Sequence, residues 1–135
     1  MNILYPVFAM VLLTFFVWLR MYYVRFSVMR KFDLTTADMQ PTNRNLPAAI
    51  IFSGDNFRNL CELPILFYTV SLIILVLKLT DSVFLVCAWA FVIFRILHSC
   101  IHTTYNKVSH RFWMYVLSSV FLWTMWFRLM YKIIF

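Results

Sequence analysis

Charge is what this chain has least of. Asp, Glu, Lys and Arg make up 13% of its 135 residues, and acidic residues number five. A soluble domain carries about 25% charged residues, so a wholly water-facing surface is excluded. Glycine is scarcer still, with Gly54 alone, and no glycine motif marks a helix–helix interface. Ser99, Ser109, Ser118 and Ser119 lack the Asp, His and Gly-rich setting of a nucleophilic serine. Cys61, Cys87 and Cys100 form no CxxC pair, so zinc and redox motifs gain no support and small buried side chains are expected. No basic, solvent-exposed segment is long enough for a nucleic-acid module, and no nucleic-acid partner is expected. No basic residue precedes the first apolar run and no small-residue cleavage signature follows it, so a retained helix is expected there.

What is present is apolar: 64% of residues are hydrophobic. A spanning helix takes about 20 mainly apolar residues, so the length accommodates about four spans and no separate soluble domain. The expected fold is an all-α integral membrane protein, a single four-helix bundle over residues 1–135, with spans at about 3–23, 56–78, 82–103 and 111–134. Pro6 lies in the first turn of the first segment, where a missing N–H is harmless. Arg20 and Arg25 close that segment; they snorkel to headgroups or one turns inward to hold an anion. The stretch from Phe32 to Gly54, with Pro41, Pro47 and Gly54, reads as the long loop. Within it the apolar Ala48–Phe52 is expected to pack back or lie at the interface. Ser53 or Asp55 is expected to cap the second segment, Pro64 to kink it, and Thr80 or Asp81 to cap the third.

Orientation follows from basic residues. Arg25, Arg30, Lys31, Arg44, Lys107 and Arg111 lie in or near the links after segments one and three; Lys78, Arg128 and Lys132 lie on the other side. By the positive-inside rule both links are cytoplasmic and both termini lie outside.

The segment two opening, DNFRNLCELPILFY from Asp55 to Tyr68, carries Asp55, Arg58, Asn59 and Glu62 within about two turns. Charges at membrane depth cost about 2.5–3.5 kcal/mol each and mark protein interiors or wet cavities. Segment three ends with Arg95, His98 and His102 at i, i+3 and i+7, on one face. Arg111 and Tyr115 are i,i+4 neighbours opening segment four. The antiparallel order gathers all of these at the cytoplasmic mouth. Arginine forks suit carboxylates, Glu62 suits an ammonium, and Asn59 donates and accepts. A small zwitterion with extra carboxylates, such as glutathione, matches that inventory. An arginine also favours a thiolate over a thiol, and Arg111 is the candidate for that role.

The runs RNLCELPILFY at Arg58–Tyr68 and RILHSCIHTTYNKVSHRFWMY at Arg95–Tyr115 resemble the MAPEG family, membrane-associated proteins in eicosanoid and glutathione metabolism. The pattern is similar to bacterial members, and the spacing from Arg95 to Tyr115 resembles the prostaglandin E synthase branch. The resemblance implies a homotrimer with glutathione between protomers and a lipophilic substrate entering from the bilayer. It implies Arg111 as thiolate stabiliser, with Tyr115 as its catalytic companion. It implies Arg58, Asn59, Glu62, Arg95 and His98 as glutathione-binding residues, and His102, on the same face, is read as binding with them. Two positions depart from that branch: Asp55 replaces an arginine and His102 a tyrosine.

The expected function is a membrane-bound glutathione-dependent transferase or peroxidase acting on lipophilic electrophiles, in a bacterial inner membrane. The alternative is a non-catalytic scaffold or binding protein of the same fold, holding another anionic metabolite or a lipid headgroup. Arg58–Glu62 and Arg95–Glu62 also read as structural ion pairs. No metal is expected, because the His98–His102 pair lacks the further ligands of an HExxH or Glu-x-x-His set.

Overall fold

The computed structural model describes residues 2–40 and 45–135. The expected turn at Pro41 and the basic residue Arg44 lie outside them. The described chain is all-helical: α1 (Leu4–Phe32), a short 3-10 turn (Thr36–Met39), α2 (Ala48–Val76), α3 (Ser82–Thr103) and α4 (Val108–Ile134). α1, α2 and α3 are each long and apolar enough to cross a membrane. α4 is less apolar, yet it carries no charge between Phe112 and Phe127.

The helices end in a way that follows from the shortage of glycine. Asp33, Lys78 and Asn106 take left-handed backbone, with φ of 51°, 55° and 47°. This conformation normally falls to glycine or asparagine past a helix end. Leu34, Leu79 and Asn106 donate their backbone N–H to Met29, Ile74 and Ile101, five residues back, at 2.9–3.0 Å. Carbonyls left over at each helix end are satisfied despite the missing glycine.

α2 corrects the sequence reading. It begins at Ala48, with Pro47 as its N-cap residue. The segment Ala48–Phe52 is helical, and Gly54 lies inside the helix rather than in a loop. Neither Ser53 nor Asp55 caps anything; the Ser53 hydroxyl donates to the Ile50 carbonyl at 3.0 Å. The reason is packing. Ile50, Ser53, Asn56, Leu60, Pro64, Phe67, Val70 and Ile74 are buried at steps of three and four, one unbroken stripe. That stripe overrides the turn-like Ser-Gly-Asp triplet. α1 likewise runs past Tyr23 to Phe32.

α3 packs most extensively on α4 and α1 on α2, while α2 meets α3 along a narrower seam. Phe67 and Phe91 stack across that seam at 4.6 Å between ring centroids. The core continues through Met10, Val70, Ile74, Phe84, Leu122 and Met125. Large apolar side chains remain on the outside, among them Phe8, Phe16, Val86, Trp123 and Phe127. In water such a surface would be a liability, whereas against acyl chains it is the ordinary exterior.

At the end of the bundle formed by the α2–α3 link, Asp81 ties two helices together. Its Oδ1 accepts from the Phe84 N–H at 2.9 Å, so of the two expected caps, Thr80 and Asp81, it is Asp81 that caps α3. Its Oδ2 takes Arg128 at 2.8 Å and Lys132 at 2.7 Å. Partial burial pushes the carboxyl up, but the hydrogen bonds from Lys132, Arg128 and the Phe84 backbone outweigh it and hold Asp81 well below the usual carboxylate range. A depressed carboxyl contributes its full stability above its unfolded value of about 3.9 and loses it as pH falls from there. Asp81→Ala is expected to cost about 1–2 kcal/mol, mostly the lost cap. Asp81→Asn keeps a capping oxygen and is expected to cost less. Thermal unfolding in detergent, followed by circular dichroism, reads both; equal losses would show that the cap contributes nothing.

Candidate functional site

The last two turns of α3 turn a polar face into the protein. Arg95 is 0% exposed, His98 2% and His102 4%. One Arg95 nitrogen, Nη1, donates to the backbone carbonyl of Asn59 on α2 at 3.3 Å. The guanidinium carbon lies 4.6 Å from the centroid of the Tyr115 ring and 5.4 Å from that of Phe91. Such stacking is worth about 2 kcal/mol when desolvated. Pro64 stands one turn beyond this contact and has no N–H to return to the helix. The α2 hydrogen-bond ladder is therefore open beside the carbonyl that Arg95 uses. The Nε and Nη2 atoms of Arg95 are buried with no partner.

α3 meets α4 through its histidines. His98 Nδ1 lies 3.0 Å from the Arg111 carbonyl, so this nitrogen carries a proton and donates. His102 Nε2 lies 2.9 Å from Arg111 Nη1; arginine donates, so Nε2 accepts. Arg111 Nη1 also donates to Asn106 Oδ1 at 2.9 Å. One edge of the Arg111 fork is thus held by two acceptors while the side chain stays partly exposed. The His98 ring centroid sits 6.0 Å from that of Tyr115. Arg95, His98, His102, Arg111 and Tyr115 converge as their spacing predicts.

The α2 residues divide. Asn59 is half-buried beside Arg95, while Arg58 and Glu62 are exposed on the outer side of the helix. Among the described residues no ion pair joins Glu62 to Arg58 or Arg95; those present involve Asp81 at the opposite end. Neither ion pair is formed within one chain. A cleft of about 610 Å³ opens between α1 and the start of α2, with Arg25, Gly54, Asp55, Arg58 and Cys61 in its walls. The two α1 arginines take different tasks. Arg20 Nη2 donates to the Thr103 carbonyl at the end of α3, at 3.5 Å, and Arg25 lines the cleft. Cys87 is buried as expected, but Cys61 and Cys100 are exposed. Cys61 opens onto the cleft between α1 and α2.

Sequence reading missed Asn56 and Ser99. Both are buried, at 0% and 3% exposure, and the Ser99 hydroxyl donates to Asn56 Oδ1 at 3.2 Å. Ser99 is one turn after Arg95, and Asn56 is three residues before Asn59. The α2–α3 seam is therefore a two-rung polar ladder. The available signal was helical spacing: both residues share the buried faces of α2 and α3.

A model of the MAPEG family matches residues 3–131, nearly the whole chain. No curated protein and no solved structure matches it.

Ser99→Ala leaves the buried Asn56 oxygen without its donor. It is expected to lower unfolding stability by about 1–3 kcal/mol. Ser109→Ala, at an exposed position, is expected to stay within about 0.5 kcal/mol of the parent. Thermal unfolding of the two variants side by side is the check, and an equal response would contradict a buried seam.

Proposed function

The chain belongs to the MAPEG family, and on that premise we propose that it is a glutathione-dependent membrane transferase or peroxidase acting on lipophilic electrophiles. The observation that carries this reading is the posture of Arg111. A cation held on one edge by His102 and Asn106, with the remainder at the mouth, is preorganised to stabilise a thiolate. Stabilisation by a fixed charge needs no rearrangement as the reaction proceeds. The thiolate is the nucleophile. With an aryl halide, a C–S bond forms and the halide leaves with its electron pair. With a hydroperoxide, sulfur attacks oxygen and the O–O bond breaks. The departing alkoxide then takes a proton from Tyr115, and a second glutathione converts the sulfenic acid to a disulfide, releasing water.

Residue roles follow from placement. Arg58, Asn59 and Glu62 supply a cation, an amide and a carboxylate for the charged ends of the tripeptide. Arg95, His98 and His102 serve the ligand from inside the bundle, through their contacts with Asn59, Tyr115 and Arg111.

The partner is a second and third copy of this chain. Arg58 and Glu62 stand exposed on a helix apolar enough to span a membrane. Facing lipid, each would cost about 2.5–3.5 kcal/mol. A homotrimer covers that face and sets Arg58 and Glu62 of one copy toward Arg111 and Tyr115 of the next. The excess of basic residues at the mouth supports a site on the cytoplasmic side with both termini outside, and the resemblance to bacterial members supports an inner membrane.

Asp55 favours a second reading. It lines the same cleft as Arg58 and opposes a glutathione carboxylate there. A non-catalytic protein holding another anionic metabolite or a lipid headgroup would show it. Conjugation of a chromogenic aryl halide by the trimer decides the matter. Arg111→Ala is expected to lose 10²–10³-fold in rate, on the order of one electrostatic donor, with the trimer intact by size exclusion. Asp55→Arg is expected to tighten glutathione binding in calorimetric titration. A well-folded parent with no glutathione-dependent turnover, binding glutathione only after that charge reversal, would favour the second reading.

A further inference from the structure

We propose that the Asp81 end of the bundle retains one phospholipid with an anionic headgroup, its acyl chain along α3 and its phosphate beside Arg128 and Lys132. The place is a hollow of about 660 Å³ at the start of α3, at the opposite end of the bundle from the mouth. Val86, Trp89, Ala90 and Ile93 form its apolar part, and Asp81 and Ser82 its polar head. The apolar four share the face of α3 turned away from the buried Phe84, Ala88 and Phe91. Val86 and Ile93 are more than half exposed, and Trp89 is 37% exposed. Ala90, the small residue among them, keeps the floor of the hollow low.

Length identifies the occupant. α3 has 22 residues, and the hollow ends at Ile93, in its middle. From Ser82 to Ile93 the helix rises about 16 Å, at 1.5 Å per residue. The hydrocarbon of one leaflet is about 15 Å thick, half of the whole core. The hollow therefore runs from the bilayer surface to the midplane and stops there, as an acyl chain of one leaflet does. A helix from a second copy of the chain would cross the whole thickness.

Charge selects the headgroup. The charged side chains at this end are Lys78, Arg128 and Lys132 against Asp81. Asp81 is already engaged: Oδ1 accepts from the Phe84 N–H, and Oδ2 from Arg128 at 2.8 Å and Lys132 at 2.7 Å. A lipid ammonium finds no free carboxylate there. The cations do have capacity left. Lys132 uses one of its three N–H donors on Asp81, and the side chains of Arg128 and Lys132 keep 36% and 31% of their surface open. Both stand over the Phe84 ring, at 5.4 and 5.5 Å, so their place beside the head of α3 is fixed in advance. Surplus positive charge at a bilayer surface attracts anionic headgroups. A phosphate accepts from ammonium, guanidinium and the exposed Ser82 hydroxyl alike. Nothing in this depends on glutathione chemistry at the mouth.

Thermal unfolding of the purified protein in non-ionic detergent tests this without any catalytic assay. Dioleoyl phosphatidylglycerol is compared with phosphatidylcholine of the same chains, and with glycerol 3-phosphate, which has the phosphate and no chain. Phosphatidylglycerol is expected to raise the unfolding midpoint by roughly 4 °C, and the other two by less than about 1 °C. Ala90→Phe fills the hollow and Lys132→Gln removes a headgroup cation. Each is expected to lose most of the shift, whatever its own starting stability; should Ala90→Phe not fold, Lys132→Gln decides alone. Val11→Phe, which adds a ring to an exposed face of α1, should respond as the parent does. The proposal fails if phosphatidylcholine stabilises as well as phosphatidylglycerol, or if glycerol 3-phosphate alone is enough. It fails too if either folded variant keeps the parent's response.

Discussion

A bilayer offers no hydrogen bonds, so every polar group at its depth must be answered by the protein. In this chain that constraint is concentrated on Arg95. Its guanidinium is wedged between an α2 carbonyl and two aromatic rings, and the helices around it are arranged to make those contacts possible. Pro64 opens the α2 ladder one turn away. Ser99 and Asn56 continue the polar seam toward the loop. Tyr115 brings α4 against the other face. Any shift of α3 by one residue would carry Arg95, His98 and His102 out of this setting together, since they share a face.

The two ends of the bundle solve the same electrostatic problem in opposite ways. At the Asp81 end, two cations meet one carboxylate and a buried ring, and Asp81 also caps α3. The carboxylate is compensated inside the chain, and the result is a clasp between α3 and α4. At the other end, cations are held by neutral acceptors: a carbonyl for Arg95, an imidazole and an amide for Arg111. A carboxylate within ion-pair distance of either cation would have produced a second clasp. Neutral acceptors fix the geometry of the cations and leave their charge for something else. That difference is why the mouth reads as a place for a small charged ligand and the Asp81 end as a clasp.

Much of this was legible from residue order. Helical spacing identified the Arg95–His98–His102 face and its meeting with Arg111 and Tyr115, because polar residues at three- and four-residue steps must share one side of a helix. The Asp81 cap was legible because a carboxylate after a short link is the common start of a helix. The first turns of α2 were not legible, since Ser53, Gly54 and Asp55 imitate a turn when the packing of Ile50 and Asn56 is unknown. The fate of Arg58 and Glu62 was not legible either. Spacing says they are neighbours; whether they pair depends on which side of α2 the other helices occupy.

By itself, then, the order of residues determined an all-helical chain apolar enough for a membrane, and the polar groups that share each helix face. Those properties are local: they depend on hydropathy and on a period of 3.6 residues. Only the tertiary structure decided which groups became partners, which of Arg20 and Arg25 entered the cleft, and which cysteines stayed outside. Pairing depends on how helices far apart in sequence are rotated against one another. That rotation is set by the summed packing of the core, which no single segment encodes.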